Sequence, residues 1–171
     1  MPRLDQSVVE LSAAYQFKIA SPNAANGYRV LNGMFTYKSR GGFQRNLFGG
    51  KFGVRNTATL LAEPILKGVE SYYIGVAFRP SLEWWPENER YYLFISPGGG
   101  FGWTDSHGVE GGQGQDFTLN ILVDAGVGFF LNQTTAVKIG IQYQHFSNSG
   151  MSDPNPGLNT VGPEIGVSVF F

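Results

Sequence analysis

Eight stretches of this chain alternate apolar and polar residues with a period of two, which confines each of them to an extended strand with one greasy face. They lie at about 7–19, 29–38, 51–66, 71–84, 90–104, 116–130, 135–147 and 159–171, separated by clusters of Gly, Pro, Asn and Asp. In the first, Val9, Leu11, Ala13, Tyr15, Phe17 and Ile19 oppose Glu10, Ser12, Gln16 and Lys18. In the sixth, Phe117, Leu119, Ile121, Val123, Val127 and Phe129 oppose Asp116, Thr118, Asn120, Asp124, Gly126 and Gly128. The second and third stretches are less regular, because Asn32, Thr36 and Asn56 interrupt the pattern. No helical period competes with it. The expectation is a single all-β domain over 1–171, built as a barrel or a sandwich.

The face opposite the apolar one decides which. It carries Glu10, Lys18, Arg55, Glu63, Arg79, Glu83, Asp124, Lys138 and Glu164, interleaved with many of the chain's 24 glycines. On a solvated exterior glycine has little use and weakens a strand. In the narrow lumen of a small barrel, charges pair and glycines make room. The pattern therefore predicts an eight-stranded antiparallel transmembrane β-barrel with its aliphatic face toward lipid. Val9, Leu11, Val76, Ile95, Ile121, Val123, Ile139, Ile141 and Val167 point outward in this reading. Tyr15, Phe17, Trp84, Tyr91, Trp103, Phe117 and Phe129, near the ends of the apolar faces, are where interfacial aromatic girdles would lie. An even number of strands puts both termini at one end, the periplasmic one for a bacterial outer-membrane barrel. The opening residues Met1 to Asp5 lack the apolar core of a secretory signal, so either such a signal has been cut away or the protein stays inside, and removal is the expectation for an outer-membrane barrel.

A net charge of -1 argues against electrostatic binding to nucleic acid, and the absence of cysteine excludes disulfides. No apolar run is long enough for a membrane-crossing helix.

In the seventh stretch Val137, Ile139, Ile141, Tyr143, His145 and Ser147 share the apolar face. Asn159, at the start of the eighth, has the same parity. A nucleophile, a base and a polar orienting group on the greasy side of two adjacent strands suit hydrolysis only of a substrate that is itself in the apolar phase, a lipid. Serine needs an imidazole to take its proton, and the imidazole needs a third group to fix its tautomer. A spacing of two puts the Cα atoms of His145 and Ser147 roughly 6–7 Å apart, which side chains can bridge. The strand directions place this constellation at the extracellular end.

The segment Gln142-Tyr143-Gln144-His145-Phe146-Ser147-Asn148-Ser149-Gly150, the loop Asn155-Pro156-Gly157-Leu158-Asn159 and the closing Gly166 to Phe171 together resemble the C-terminal signature of the PagL-type lipid A 3-O-deacylases and the wider acyloxyacyl-hydrolase-like barrels. Pro97 to Asp105 and Phe117 to Asn120 are similar to that family as well; the likeness runs over about 90–171. The resemblance implies an outer-membrane barrel that hydrolyses an ester-linked acyl chain of lipid A (lipopolysaccharide) at the outer leaflet, without metal or cofactor. Ser147 would be the nucleophile, His145 the general base, and the Asn148 side chain with neighbouring loop amides the oxyanion donors. One departure stands out: the family enzyme with the best-defined triad has a glutamate where this chain has Asn159. Glu164 has lumen parity and cannot substitute without a register slip. Asp153, in the loop, is an alternative acid. Asparagine orients an imidazole but does not stabilise its cation, so a weak or inactive barrel serving as a structural or binding subunit of an envelope assembly is the rival reading. A soluble ligand-binding barrel with its charges outside is the third.

Overall fold

Cross-strand pairing closes the chain on itself in the computed structural model, which describes residues 3–25 and 27–171. A 3₁₀ turn at Arg3–Asp5 precedes β1 (Val8–Ile19), β2 (Arg29–Lys38), β3 (Phe43–Leu47), β4 (Gly50–Lys67), β5 (Tyr72–Pro86), β6 (Tyr91–Thr104), β7 (Phe117–Phe130), β8 (Thr135–Ser147) and β9 (Leu158–Phe170). Every neighbouring pair is antiparallel, and β1 joins β9 to close the ring. The short β3 continues the line of β2 after a break at residues 39–42, and both pair with β4. Nine segments therefore make eight staves.

The β3 segment was not expected from sequence, which leaves 39–50 as a loop. It is five residues long, carries Arg45 on its outer face, and pairs with β4 alone. Its turn uses positive φ at both Phe48 and Gly49, as a two-residue hairpin loop requires. The break before it has a cause as well. The 3₁₀ turn crosses there: Gly41 N donates to Leu4 O at 2.7 Å, and Arg55 Nη2 donates to Arg3 O at 2.7 Å.

The facing follows the parity. Leu11, Ile95, Ile121, Ile139, Ile141 and Val167 are exposed on the outer wall, and Val9, Val76 and Val123 are half-buried there. Glu10, Asp124, Lys138 and Glu164 are buried inside. Asn32 and Thr36 also point inward, in regular alternation with Val30 and Met34. The irregularity of β2 is thus one of composition: its lumen face mixes apolar and polar side chains.

The lumen is filled in three levels. Leu4, Val8, Trp85, Tyr92, Phe94 and Phe170 cluster at the end that holds both termini. Tyr28, Met34, Leu61, Tyr73, Phe146 and Leu158 cluster at the other. Between them Lys138 Nζ sits 2.9 Å from Glu10, 2.7 Å from Asp124 and 2.8 Å from Glu164, and Arg79 pairs with Asp124. The inward glycines make room for rings. A Cβ at Gly102 would lie 2.5 Å from the Tyr73 hydroxyl, and one at Gly128 would lie 2.2 Å from the Tyr92 ring. Outer aromatics form two belts, Tyr15, Phe17, Trp103 and Phe117 toward one end and Trp84, Tyr91 and Phe129 toward the other.

Candidate functional site

Register sets the site. His145 on β8 lies directly opposite Asn159 on β9 and opposite Ile121 on β7, while Ser147 lies opposite Leu119. All have outward parity, and His145, Ser147 and Asn159 are each half-buried at the end of the barrel away from the termini. Leu119 and Ile121, exposed on β7, give the site an apolar flank.

Asn159 Oδ1 lies 2.8 Å from His145 Nδ1. Which way the amide faces is fixed by its other half, since Asn159 Nδ2 donates to Ala20 O at 3.1 Å. Its backbone is tied as well, with Asn159 N donating to Ser21 Oγ at 2.7 Å. Tyr143 adds a second donor, its hydroxyl giving a hydrogen bond to Asn159 Oδ1 at 2.7 Å. An oxygen facing Nδ1 makes that nitrogen the N–H donor and leaves Nε2 as the free base. Gly157, with φ +60, closes over the ring: a Cβ there would stand 3.4 Å from His145 Cε1, and the left-handed backbone excludes most other residues. Ser147 Oγ makes no hydrogen bond among the described residues, to the imidazole or to anything else.

The expectation that the Asn148 side chain serves as an oxyanion donor meets a contrary geometry. Asn148 has lumen parity and is fully buried. Its Nδ2 donates to Gln113 O at 2.5 Å and to Ser152 O at 2.7 Å, and its Oδ1 accepts from Gly150 N at 2.8 Å. That side chain staples the loop. It faces away from the wall on which Ser147 stands. Sequence reasoning passed over Asn155, which is exposed and whose Oδ1 accepts from Asn148 N at 3.1 Å. Its Nδ2 has no partner among the described residues. Asp153 is exposed and forms no hydrogen bond with His145, and Glu164 is held in the lumen by Lys138.

The loop is braced from the far side of the rim. Ser106 Oγ donates to Glu70 Oε1 at 2.9 Å and in turn accepts from Gln113 N, while Gln113 O accepts from Asn148. Tyr28 completes the chain by donating to the other oxygen of Glu70. Burial and that carboxylate push the Tyr28 phenol above its usual range, so it stays a donor. Among the described residues no cluster of His, Asp or Glu is arranged to hold a metal ion.

A family model described as "Lipid A 3-O-deacylase (PagL)" matches residues 11–168. The chain belongs to the PagL family. A lipid A deacylase PagL from Bordetella bronchiseptica is 37% identical over 83 residues, a stretch covering 48% of this chain and 43% of that protein. The crystal structure of the outer-membrane enzyme PagL superposes with a TM-score of 0.60 at 14% identity, covering 95% of this chain and 98% of that one. Neisserial surface protein A is nearly as similar, with a TM-score of 0.58 at 14% identity over 96% and 97% of the two chains. The attachment invasion locus protein of Yersinia pestis gives 0.51 at 13% identity over 98% and 99%. A fold shared between an enzyme, a surface protein and an attachment protein leaves function to be argued from the site.

Proposed function

We propose that this PagL-family barrel resides in the outer membrane and hydrolyses an ester-linked acyl chain of lipid A from the outer leaflet, by a Ser147–His145 mechanism. The observation that carries the reading is the His145–Asn159 pair on the lipid-facing wall, with Nδ1 anchored at 2.8 Å and Nε2 left free. Unpaired polar groups are costly on a wall that faces hydrocarbon, and an imidazole held there at Nδ1 with Nε2 left free is what a general base requires. Family membership supplies the substrate class.

In this mechanism Ser147 Oγ attacks the acyl carbonyl while His145 Nε2 takes its proton, and the imidazolium then returns that proton to the departing sugar oxygen. A water activated by the same nitrogen releases the fatty acid and restores the serine. The Ser147–His145 hydrogen bond closes with substrate in place, as such bonds do when they are open in the free enzyme. Asn155 Nδ2, held beside the Ser147 peptide and otherwise unengaged, is the side-chain donor offered to the oxyanion.

Release of a hydroxy fatty acid from purified lipid A in detergent tests the proposal. A folded protein that releases none from a range of lipid A species would leave the second reading, a barrel serving as a structural or binding subunit. That reading draws its support from the uncharged Asn159.

Asn159 gives a graded expectation. Asn159→Glu should raise turnover, by about tenfold, because a carboxylate stabilises the imidazolium formed in the transition state. Asn159→Asp should gain less, because the shorter side chain sets a carboxylate oxygen against the Ala20 carbonyl that Nδ2 now engages at 3.1 Å. Steady-state rates of the two variants decide it, and Asp outperforming Glu would contradict the account.

Tyr143 acts through Asn159. Tyr143→Phe should lower kcat by about tenfold with little change in KM, as expected when one hydrogen bond in an orienting network is lost. A nitrogen-15 spectrum of the ring should show the Nδ1–H tautomer of His145 losing population. Equal spectra for wild type and variant would assign Tyr143 to packing alone.

A further inference from the structure

The cations of the lumen are all engaged: Lys38, Arg55, Arg79 and Lys138 each form ion pairs. At the rim that bears His145, Arg29 and Lys67 are not. Arg29 opens β2 and Lys67 closes β4, and the two are partners across a register shift that falls between Arg29 and Val30. Like charges on paired residues of a ladder repel, so such a pair is unfavourable at the rim when no anion lies near them. Neither forms an ion pair with a carboxylate among the described residues. Lys18, close by, shows what a satisfied rim cation looks like, with its ammonium donating to Ala24 O at 2.5 Å and Ala25 O at 3.0 Å.

Arg29 is posed rather than loose. Its guanidinium carbon lies 4.8 Å from the centre of the Phe17 ring, on the outer wall, and Nη1 donates to Tyr28 O at 3.0 Å. The remaining N–H groups of the fork have no hydrogen-bond partner among the described residues. Lys67 is exposed, with Nζ lying against Gly27, where an added Cβ would be 2.9 Å away. Both cations therefore sit at the end of the barrel that bears His145, Arg29 level with the aromatic belt through Phe17, at the depth where lipid headgroups lie.

Their lateral position relates them to the site. His145 pairs with Asn159 and Asn159 with Ile19, and two residues along β1 Phe17 pairs with Arg29. From β8 to β2 is three inter-strand steps, about 14 Å along the wall at about 4.8 Å each. The Arg29 guanidinium, over the Phe17 ring of β1, shortens that distance, and Lys67 on β4 lies one strand further from His145; the separation remains larger than a glycerol unit, which holds ester and phosphate only a few bonds apart. A sugar-based headgroup bridges it.

We propose that Arg29 and Lys67 form a binding lip for a phosphate ester on the headgroup of the glycolipid whose acyl ester reaches Ser147. This rests on the esterase reading of the site. The guanidinium fork meets two phosphate oxygens while the ammonium adds a point charge, and the bound dianion removes the repulsion across the ladder. The lip orients the headgroup along the wall, so that an ester at a defined distance from the phosphate arrives at the nucleophile.

The test uses binding, which needs no turnover. Ser147→Ala protein, which leaves the lipid intact, is titrated in mixed micelles with bisphosphorylated lipid A and with the same lipid stripped of phosphate. Adding Arg29→Gln or Lys67→Gln should weaken binding of the phosphorylated lipid by about three- to tenfold, and leave the stripped lipid unchanged. Added salt should weaken only the phosphorylated complex. Heat-modifiable migration in gels checks that each variant is folded. An equal loss on both lipids, or no loss on either, would overturn the lip. Saturable binding of inorganic phosphate alone, abolished by the same substitutions, would overturn the lipid assignment in favour of a free ion. In the active background the same substitutions should raise KM on phosphorylated lipid A at constant kcat; a fall in kcat instead would contradict a binding role. Failure of the wild type to release fatty acid speaks against the esterase reading, while the titration answers for the lip.

Discussion

Ser147→Ala should reduce fatty-acid release from lipid A by three or more orders of magnitude while the barrel stays folded, and His145→Ala should do about the same. The two effects should not add, because a serine without its base and a base without its serine both leave the acyl carbonyl unattacked. Both side chains are half-buried at a strand end on the outer wall, and neither fills the lumen. Removing them opens no cavity and orphans little: Ser147 makes no hydrogen bond among the described residues, and His145 gives up its one bond to Asn159. Rates from purified protein in detergent, compared with the shift between folded and heated forms on gels, separate loss of chemistry from loss of fold. Retention of more than a few per cent of activity in Ser147→Ala would remove this residue as the nucleophile.

The largest stability effect should come from Lys138→Ala. Its ammonium is buried with three carboxylate partners, Glu10 at 2.9 Å, Asp124 at 2.7 Å and Glu164 at 2.8 Å. Replacing the buried network whole by apolar residues would cost little, because bringing charges out of water is itself expensive. Removing only the central cation is different: it leaves carboxylates facing one another in the lumen, at a cost of about 3–5 kcal/mol. Lys38 on Glu10 and Arg79 on Asp124 compensate in part; Glu164 has no other cation partner among the described residues. Lys138→Ala should therefore lower the temperature of the gel-shift transition markedly, and the double variant Lys138→Ala with Glu164→Gln should recover part of the loss. An unchanged transition in the single variant would show that the three carboxylates are accommodated without the ammonium.

Barrel and site were not equally legible in the sequence. A strand's two faces follow from parity alone, and the charged residues at Asp124, Lys138 and Glu164 could not lie outward without facing lipid, so wall and lumen could be read residue by residue. The pairing of His145 with Asn159 is of the same kind, since it needs only a register and a loop length. The short β3 escaped because five residues with an arginine in the outward set carry too little period to be distinguished from a loop. Asn148 is a different case: it carries the even parity of the lumen set, and its side chain donates to Gln113 O and Ser152 O on that side, whereas the oxyanion role followed from the family resemblance and not from the alternation. The bond from Tyr143 to Asn159 was in reach of parity, two residues from His145, but an aromatic on an apolar wall reads as packing until its hydroxyl is located.

The filled lumen has one more consequence. With Lys138 and its carboxylates across the middle and apolar clusters above and below, the barrel is a post rather than a pipe among the described residues. A lipid substrate of the proposed esterase would reach His145 and Ser147 by drifting sideways against the wall. For a catalyst approached in that way, what counts as substrate concentration is molecules per area of leaflet. Packing the leaflet with other lipids would slow it as surely as an inhibitor, however much lipid A the whole suspension contained.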